Sequence, residues 1–225
     1  LNKNLIFIGP NPSSIRAMGL KSKAKTMMGE SSVPIVPGFS IEKKSKAEIL
    51  KNSEKIGFPI IIKASAGGGG RGMKIVRSEK DLFTSIAAAK REAKSSFGNE
   101  KIIIEKYLEN ARHVEVQIIG DIEGNYTVLG DRDCSIQRRH QKVIEEAPAP
   151  NMNEKLRKEM ASQAIKVAKK ISYLGAGTVE FLVYKNNFYF IEMNTRLQVE
   201  HPVTELICGV DLVEMQLRVA NGEKI

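Results

Sequence analysis

Two glutamates and an asparagine, Glu180, Glu192 and Asn194, are the first residues whose placement asks for chemistry. Lys185-Asn186-Asn187 lies between two apolar runs that alternate with the two-residue period of strands, so a hairpin is predicted there. With those three residues as the turn, Glu180 faces Glu192 and Asn194 falls on the same face. Two like charges about 5 Å apart repel by about 3 kcal/mol at an effective dielectric of about 20. A folded sheet avoids that cost unless something positive sits between them. Two carboxylates and an amide oxygen form a hard oxygen set suited to magnesium or manganese, and magnesium commonly arrives with substrate phosphates. Two surface glutamates are the bland alternative, but Val179, Phe181, Val183, Ile191 and Met193 around them describe a buried sheet.

The run Gly67-Gly68-Gly69-Gly70-Arg71-Gly72 formally satisfies G-x-G-x-x-G. That pattern marks a dinucleotide site only between a strand and a helix; here a strand precedes it and another, Met73 to Val76, follows. Met73 also stands where a P-loop would need its lysine. What remains is a hairpin with a long, side-chain-free turn able to lie over a ligand and offer backbone N–H groups to phosphate oxygens. Lys63 supplies a fixed positive charge beside it. A merely connecting turn needs two to five residues, and consecutive glycines only add entropy cost.

Immediately past Asn194, the residues Arg196, Gln198 and Glu200 share parity in a segment read as extended. An arginine fork beside a carboxylate suits a small planar oxyanion together with a general base, although a plain salt bridge between Arg196 and Glu200 fits the spacing equally well. The cluster Gln137-Arg138-Arg139-His140-Gln141-Lys142 can hold phosphate or stabilise negative charge, or serve as a nucleic-acid or partner patch. Along His113 to Ile119, His113, Glu115 and Gln117 alternate with Val114, Val116 and Ile118. One face therefore looks at core and the other at a cleft or at water.

Three helices must position these groups. Ser45-x-x-Glu48 is a capping box followed by Ile49, Leu50, Ser53 and Ile56, with Gly57 and Pro59 as the stop. Ser78-x-x-Asp81 opens a second helix with Leu82, Phe83, Ile86, Ala89 and Ala93 on one face, and Asn153 caps a third through Leu156, Met160, Ala164, Val167 and Ile171. Strands are predicted at 60–64, 73–76, 102–106, 113–119, 126–129, 178–184 and 188–194. Leu5 to Ile8 reads as a strand already under way, as in an excised fragment. Helices mixed with antiparallel hairpins make the chain α+β.

The 225 residues are 42% hydrophobic and 27% charged, enough for a real core, with no apolar run of membrane-spanning length and no signal peptide. Cys134 and Cys208 lie far apart without zinc-type spacing, which predicts a reducing compartment and no disulfide. Lysine and arginine exceed acidic residues by 35 to 26. The lysines spread along helical segments as a solvated face, and only 6% of residues are aromatic, with no tryptophan, so single-stranded nucleic acid lacks a stacking platform. The favoured anion is a nucleotide or another phosphate.

Taken together, the segments IIIKASAGGGGRGM, IIEKYLENARHVEVQ, DRDCSIQRRHQKVIEEAPAP, GAGTVEF and FYFIEMNTRLQVEHPVTE resemble the ATP-grasp region of the biotin carboxylase family, over residues 21 to 225. Generic ATP-grasp ligases share the loop and the carboxylates but not QRRHQK or RLQVEHPVTE. Within the family the wording is most similar to acyl-CoA carboxylase α subunits, the methylcrotonoyl-CoA carboxylases above all. The resemblance implies an ATP-grasp fold of two α+β subdomains with a glycine-rich flap, the flap subdomain covering about 35–107. Residues 1–20 would end a preceding Rossmann-like domain. It implies ATP contacts from Lys21, Lys63, Gly69, Gly70, the adenine-side stretch Glu105, Lys106, Tyr107 and Leu108, and from His113, Gln137 and His140. Glu180, Glu192 and Asn194 would hold Mg2+ or Mn2+. Bicarbonate would sit against Lys142, Arg196, Gln198 and the backbone of Val199, with Glu200 as the base.

The implied activity is ATP-dependent carboxylation of biotin through carboxyphosphate. No Ala-Met-Lys-Met attachment motif occurs, so the biotin is expected on a carrier domain elsewhere in the full chain or on a partner, with a carboxyltransferase subunit completing the enzyme. The family's C-terminal domain supplies another arginine and much of a dimer interface, so this piece alone is expected to turn over weakly or not at all. A homodimer or larger assembly in a bacterial cytoplasm or a mitochondrial matrix is implied, without nucleic acid or membrane. Two rivals stand beside this reading: a bicarbonate-activating ligase of the carbamoyl phosphate synthase kind, and a basic nucleic-acid-binding module.

Overall fold

The computed structural model describes residues 5–66, 73–138 and 141–225. The flap glycines Gly67 to Gly72, including Gly69 and Gly70, lie outside the described residues, as do Arg139 and His140.

Helices α1 (Pro12–Met18) and α2 (Lys21–Glu30) lead into a four-stranded antiparallel sheet of order β1-β4-β2-β3, with β1 Gly38–Ser40, β2 Ile60–Ala64, β3 Lys74–Val76 and β4 Ile102–Lys106. Its isoleucines Ile60, Ile62, Ile102 and Ile104 are fully buried against α3 (Lys46–Ile56) and α4 (Leu82–Phe97). The predicted capping box forms at α3: the Ser45 and Glu48 side chains each bond the other's backbone N–H, at 3.3 and 2.7 Å. At the second helix Ser78 Oγ bonds the Asp81 carboxylate instead, and a 3-10 turn over Glu79–Asp81 intervenes before α4 begins.

A second, five-stranded antiparallel sheet has the order β7-β6-β5-β8-β9. Its strands are β5 (Arg112–Gly120), β6 (Tyr126–Arg138), β7 (Gln141–Glu146), β8 (Gly175–Tyr184) and β9 (Asn187–Asn194). Helix α5 (Glu154–Lys170) lays Leu156, Met160, Ala164 and Val167 on one face of this sheet, against Val114, Val116, Val179 and Phe181. Asn153 caps it as predicted, accepting from the Lys155 and Leu156 N–H groups. Met18 of α1 and Met28 of α2 join that core, while α6 (His201–Cys208) and α7 (Leu212–Ala220) close the chain. The α+β class holds, in two sheet-and-helix cores.

Further expectations differ from the fold. Leu5 to Ile8 forms no strand; its four apolar side chains are exposed. The β8–β9 turn is two residues, Lys185-Asn186, with Lys185 at φ +56°, and Tyr184 pairs with Asn187. A bulge at Ile191 absorbs the extra residue, so Glu180 still pairs with Glu192, as the longer turn predicted. Finally, residues 195–200 form a turn leading into α6 rather than an extended segment, so parity does not decide where Arg196, Gln198 and Glu200 point.

Candidate functional site

Between the two sheets lies a cleft of about 850 Å3. On strands whose alternate side chains pack on helices, the intervening polar ones face this space: Lys63 on β2 and Glu105 on β4 from one side, His113, Gln137, Lys142, Glu180 and Glu192 from the other. Lys21, Lys106, Tyr107, Leu108, Asn194, Arg196, Gln198, Val199 and Glu200 complete the set. Every candidate residue that falls among the described ones thus borders one cavity, although they are drawn from positions 21 to 200. Gly69, Gly70 and His140 lie outside those residues.

At one end of the cleft the Lys142 ammonium is held by three carboxylates: Glu180 Oε1 at 2.9 Å, Glu200 Oε1 at 2.8 Å, and Glu115. Burial alone would lower its pKa, but the charges of Glu180 and Glu115 push it above the ordinary lysine value. Glu180 is buried, which opposes ionisation; the His113 hydrogen bond and the Lys142 charge nevertheless hold it well below the usual carboxylate range. Glu200 is shifted the same way against burial, by its bond from Lys142. Both carboxylates are therefore ionised at neutral pH. Glu200 pairs with Lys142 and not with Arg196, whose guanidinium is exposed and donates to the Leu197 carbonyl at 3.0 Å.

His113 bridges Glu180 Oε2 through Nε2 at 2.7 Å and the Gln137 amide nitrogen through Nδ1 at 2.9 Å. Because Nδ1 accepts from Gln137, the ring proton sits on Nε2 and points at Glu180. The Gln137 amide also donates to the Cys134 carbonyl at 2.7 Å, which fixes its orientation.

At the other end, Glu105 is buried between Lys25 and Lys63, the latter at 2.9 Å. Burial opposes its charge, yet the two ammonium groups keep its pKa at about 2. Burial lowers Lys25 to about 8, with Glu105 pulling the other way, and burial together with the Lys63 charge lowers Lys21 to about 8. The Lys106 ammonium is spent on structure: it donates to the Gly57 and Phe58 carbonyls at 2.9 and 3.1 Å and clamps the α3–β2 turn. Its backbone N–H is taken as well, donating to the Pro37 carbonyl at 2.9 Å.

The three residues expected to hold a divalent metal lie side by side on β8 and β9. Glu180 and Glu192 are cross-strand neighbours, and Asn194 pairs two residues along, opposite Thr178. Lys21 pairs with Glu192, and Asn194 Nδ2 donates to Glu180 Oε1 at 2.6 Å. Lys21 at Glu192 and Lys142 at Glu180 answer the like-charge repulsion that the sequence foresaw, and turning the Asn194 amide presents a third oxygen to a metal.

Four groups escaped the sequence reading as site components: Lys25, Arg132, Ser135 and, read only as part of a polar face, Glu115. That face of β5 meets the cleft at His113, as expected, but Glu115 and Gln117 are buried against Arg132.

Residues 21–225 match the family model described as "Carbamoyl-phosphate synthase L chain, ATP binding domain". The chain belongs to this family. Its relatives make the region an ATP-grasp fold of the biotin carboxylase type. The mitochondrial methylcrotonoyl-CoA carboxylase subunit alpha of Mus musculus is 54% identical over 224 residues, 99% of this chain and 31% of that protein. A crystal structure of a biotin carboxylase–β,γ-ATP complex from Campylobacter jejuni superposes with a TM-score of 0.95 at 50% identity, over 100% of this chain and 50% of that one. The biotin carboxylase domain of Hydrogenobacter thermophilus 2-oxoglutarate carboxylase, crystallised with MgADP, ADP and bicarbonate, gives 0.93 at 47% identity, again over 100% and 50%. The chain thus spans from 31% to 50% of the length of these relatives.

Proposed function

We propose that this chain is the ATP-grasp part of a biotin carboxylase, activating bicarbonate with ATP and delivering the carboxyl group to a ureido nitrogen of biotin within an acyl-CoA carboxylase. The observation that carries the reading is Lys142 held among Glu115, Glu180 and Glu200, at the end of a cleft that also receives Arg196 and Gln198. A fixed cation, an exposed guanidinium without a carboxylate partner among the described residues and an ionised carboxylate together suit an oxyanion that must lose a proton.

In this reading Lys142, Arg196, the Gln198 amide and the Val199 backbone hold bicarbonate, and Glu200 takes its proton. The freed oxygen forms a bond to the γ-phosphorus as the bond to the ADP oxygen breaks, giving carboxyphosphate and ADP. Lys21, Lys63, flap Gly69 and Gly70, the Glu105 to Leu108 backbone, His113, Gln137 and His140 hold the nucleotide. Glu180, Glu192 and Asn194 would hold Mg2+ or Mn2+, which supplies charge neutralisation at the phosphates when bound. Positioning and charge stabilisation carry the rate in phosphoryl transfer generally.

The biotin carrier and a carboxyltransferase subunit would be the partners, and a homodimer or larger assembly the working form. A mitochondrial matrix or a bacterial cytoplasm would be the setting, a reading supported by the word mitochondrial in a relative's name and by a bacterial source among the matching structures. No helix among the described residues is long and apolar enough to cross a membrane. The carbamoyl phosphate synthase description of the matching family favours one rival, a ligase that passes activated bicarbonate to ammonia. ADP release by the full-length protein separates them: stimulation by free biotin and not by ammonia supports the carboxylase, and the reverse overturns it.

A further inference from the structure

We propose that Arg132 is the positioning residue of the bicarbonate end of the cleft, setting the orientation of Gln198 and, through Glu115, of Lys142. The proposal rests on the carboxylase reading for its substrate. Arg132 lies on β6 and is fully buried. Its guanidinium has five N–H donors, and five acceptors meet it. Nε donates to Glu115 Oε1 at 2.6 Å, one terminal nitrogen to Gln117 Oε1 and Thr204 Oγ1, both at 2.8 Å, and the other to Thr178 Oγ1 at 3.2 Å and Gln198 Oε1 at 3.0 Å. One side chain thereby ties β5, β8, the 195–200 turn and α6 to β6.

Burying an ion pair with no exposure on either partner is costly, and well-packed apolar residues usually serve stability as well or better. What the pair does here is directional. Gln198 has its amide oxygen on Arg132, so its NH2 group is forced the other way, toward the cleft and Glu180. Without Arg132 the amide is free to flip and present its oxygen, which repels an anion. Glu115 is split likewise, one oxygen on Arg132 and the other on Lys142, so the lysine is held at a carboxylate whose own place is fixed. None of the five acceptors is itself among the groups assigned to the nucleotide, and none lies at the Lys63–Glu105 end, so ATP affinity should change less than bicarbonate affinity.

The test uses Arg132→Lys in the full-length protein, which keeps the charge but offers three donors in place of a planar fork of five. Bicarbonate KM is expected to rise about tenfold or more, with ATP affinity within about twofold of wild type, the loss of several charge-assisted bonds being of that order. Thr204→Val removes one Arg132 bond outside the cleft with little change of shape and should raise bicarbonate KM in the same direction by a smaller factor; it carries the test if Arg132→Lys does not fold. Unchanged bicarbonate KM, or an equal loss of ATP affinity, would overturn the positioning role. A wild-type protein whose ADP release ignores bicarbonate would instead sink the carboxylase reading.

Discussion

Replacing Lys142 with methionine removes the charge and keeps most of the side-chain length, leaving three carboxylates without their common cation. Glu115 and Glu200 have oxygens within 4.8 Å of one another, as do Glu115 and Glu180. At that separation each pair repels by about 3.5 kcal/mol with an effective dielectric of about 20. Arg132 at Glu115 and His113 at Glu180 offset part of the sum, so a loss of about 3 to 4 kcal/mol is expected at pH 8, in the range for breaking a buried pair. The pH dependence is the sharper consequence. In the wild type Glu180 titrates below its ordinary 4.5, so its contribution is complete above that value and is lost only as pH falls through its lowered folded pKa. In the variant the uncompensated carboxylates favour uptake of a proton, which relieves the repulsion as pH falls. Urea unfolding at pH 8 and pH 5.5 reads this directly: the deficit should shrink markedly at the lower pH, and adding Glu115→Gln should recover part of it at pH 8. A deficit identical at both values would refute the three-carboxylate account.

Glu192→Gln should weaken magnesium-dependent ATP binding by about tenfold in calorimetry while leaving the unfolding midpoint close to wild type, because this glutamate borders the cleft and not the core. Glu200→Gln should spare ATP binding and reduce bicarbonate-dependent ADP release by at least about a hundredfold, the usual scale for a positioned base. Surviving turnover would remove Glu200 from that role. Lys21, with its pKa lowered to about 8, is about half free amine at pH 8, where an ordinary lysine is less than one percent so. An acylating reagent at that pH should label it ahead of surface lysines, and ATP should protect it; labelling that ATP leaves unchanged would place Lys21 outside the nucleotide site.

Local signals carried much of the fold. The capping box at Ser45 and the Asn153 cap appear where the residue types demanded, because capping is settled within four residues. The pairing of Glu180 with Glu192 was reached through a wrong turn length that the Ile191 bulge offsets, since alternation fixes which face a residue takes but not where a bulge sits. Strand β6 was read as ending at Leu129 although it runs to Arg138, since Gly130, Asp131, Arg132 and Asp133 look like a turn until Glu115 and Arg112 are seen to answer their charges. Helix α2 was missed for a related reason: its apolar face is sparse, and Lys25 is buried only because Glu105, 80 residues on, receives it. Long-range charge pairing leaves no periodicity in a sequence, so the buried half of the site became visible only with the fold.

The central claim is that bicarbonate, held by Lys142 and Arg196, attacks the terminal phosphate of ATP. Oxygen-18-labelled bicarbonate given to the full-length protein with ATP and biotin tests this through the oxygen it donates. The account predicts one labelled oxygen in each inorganic phosphate released, since the oxygen that joined phosphorus stays with it when the carboxyl group leaves. Phosphate that takes its new oxygen from water alone would contradict it.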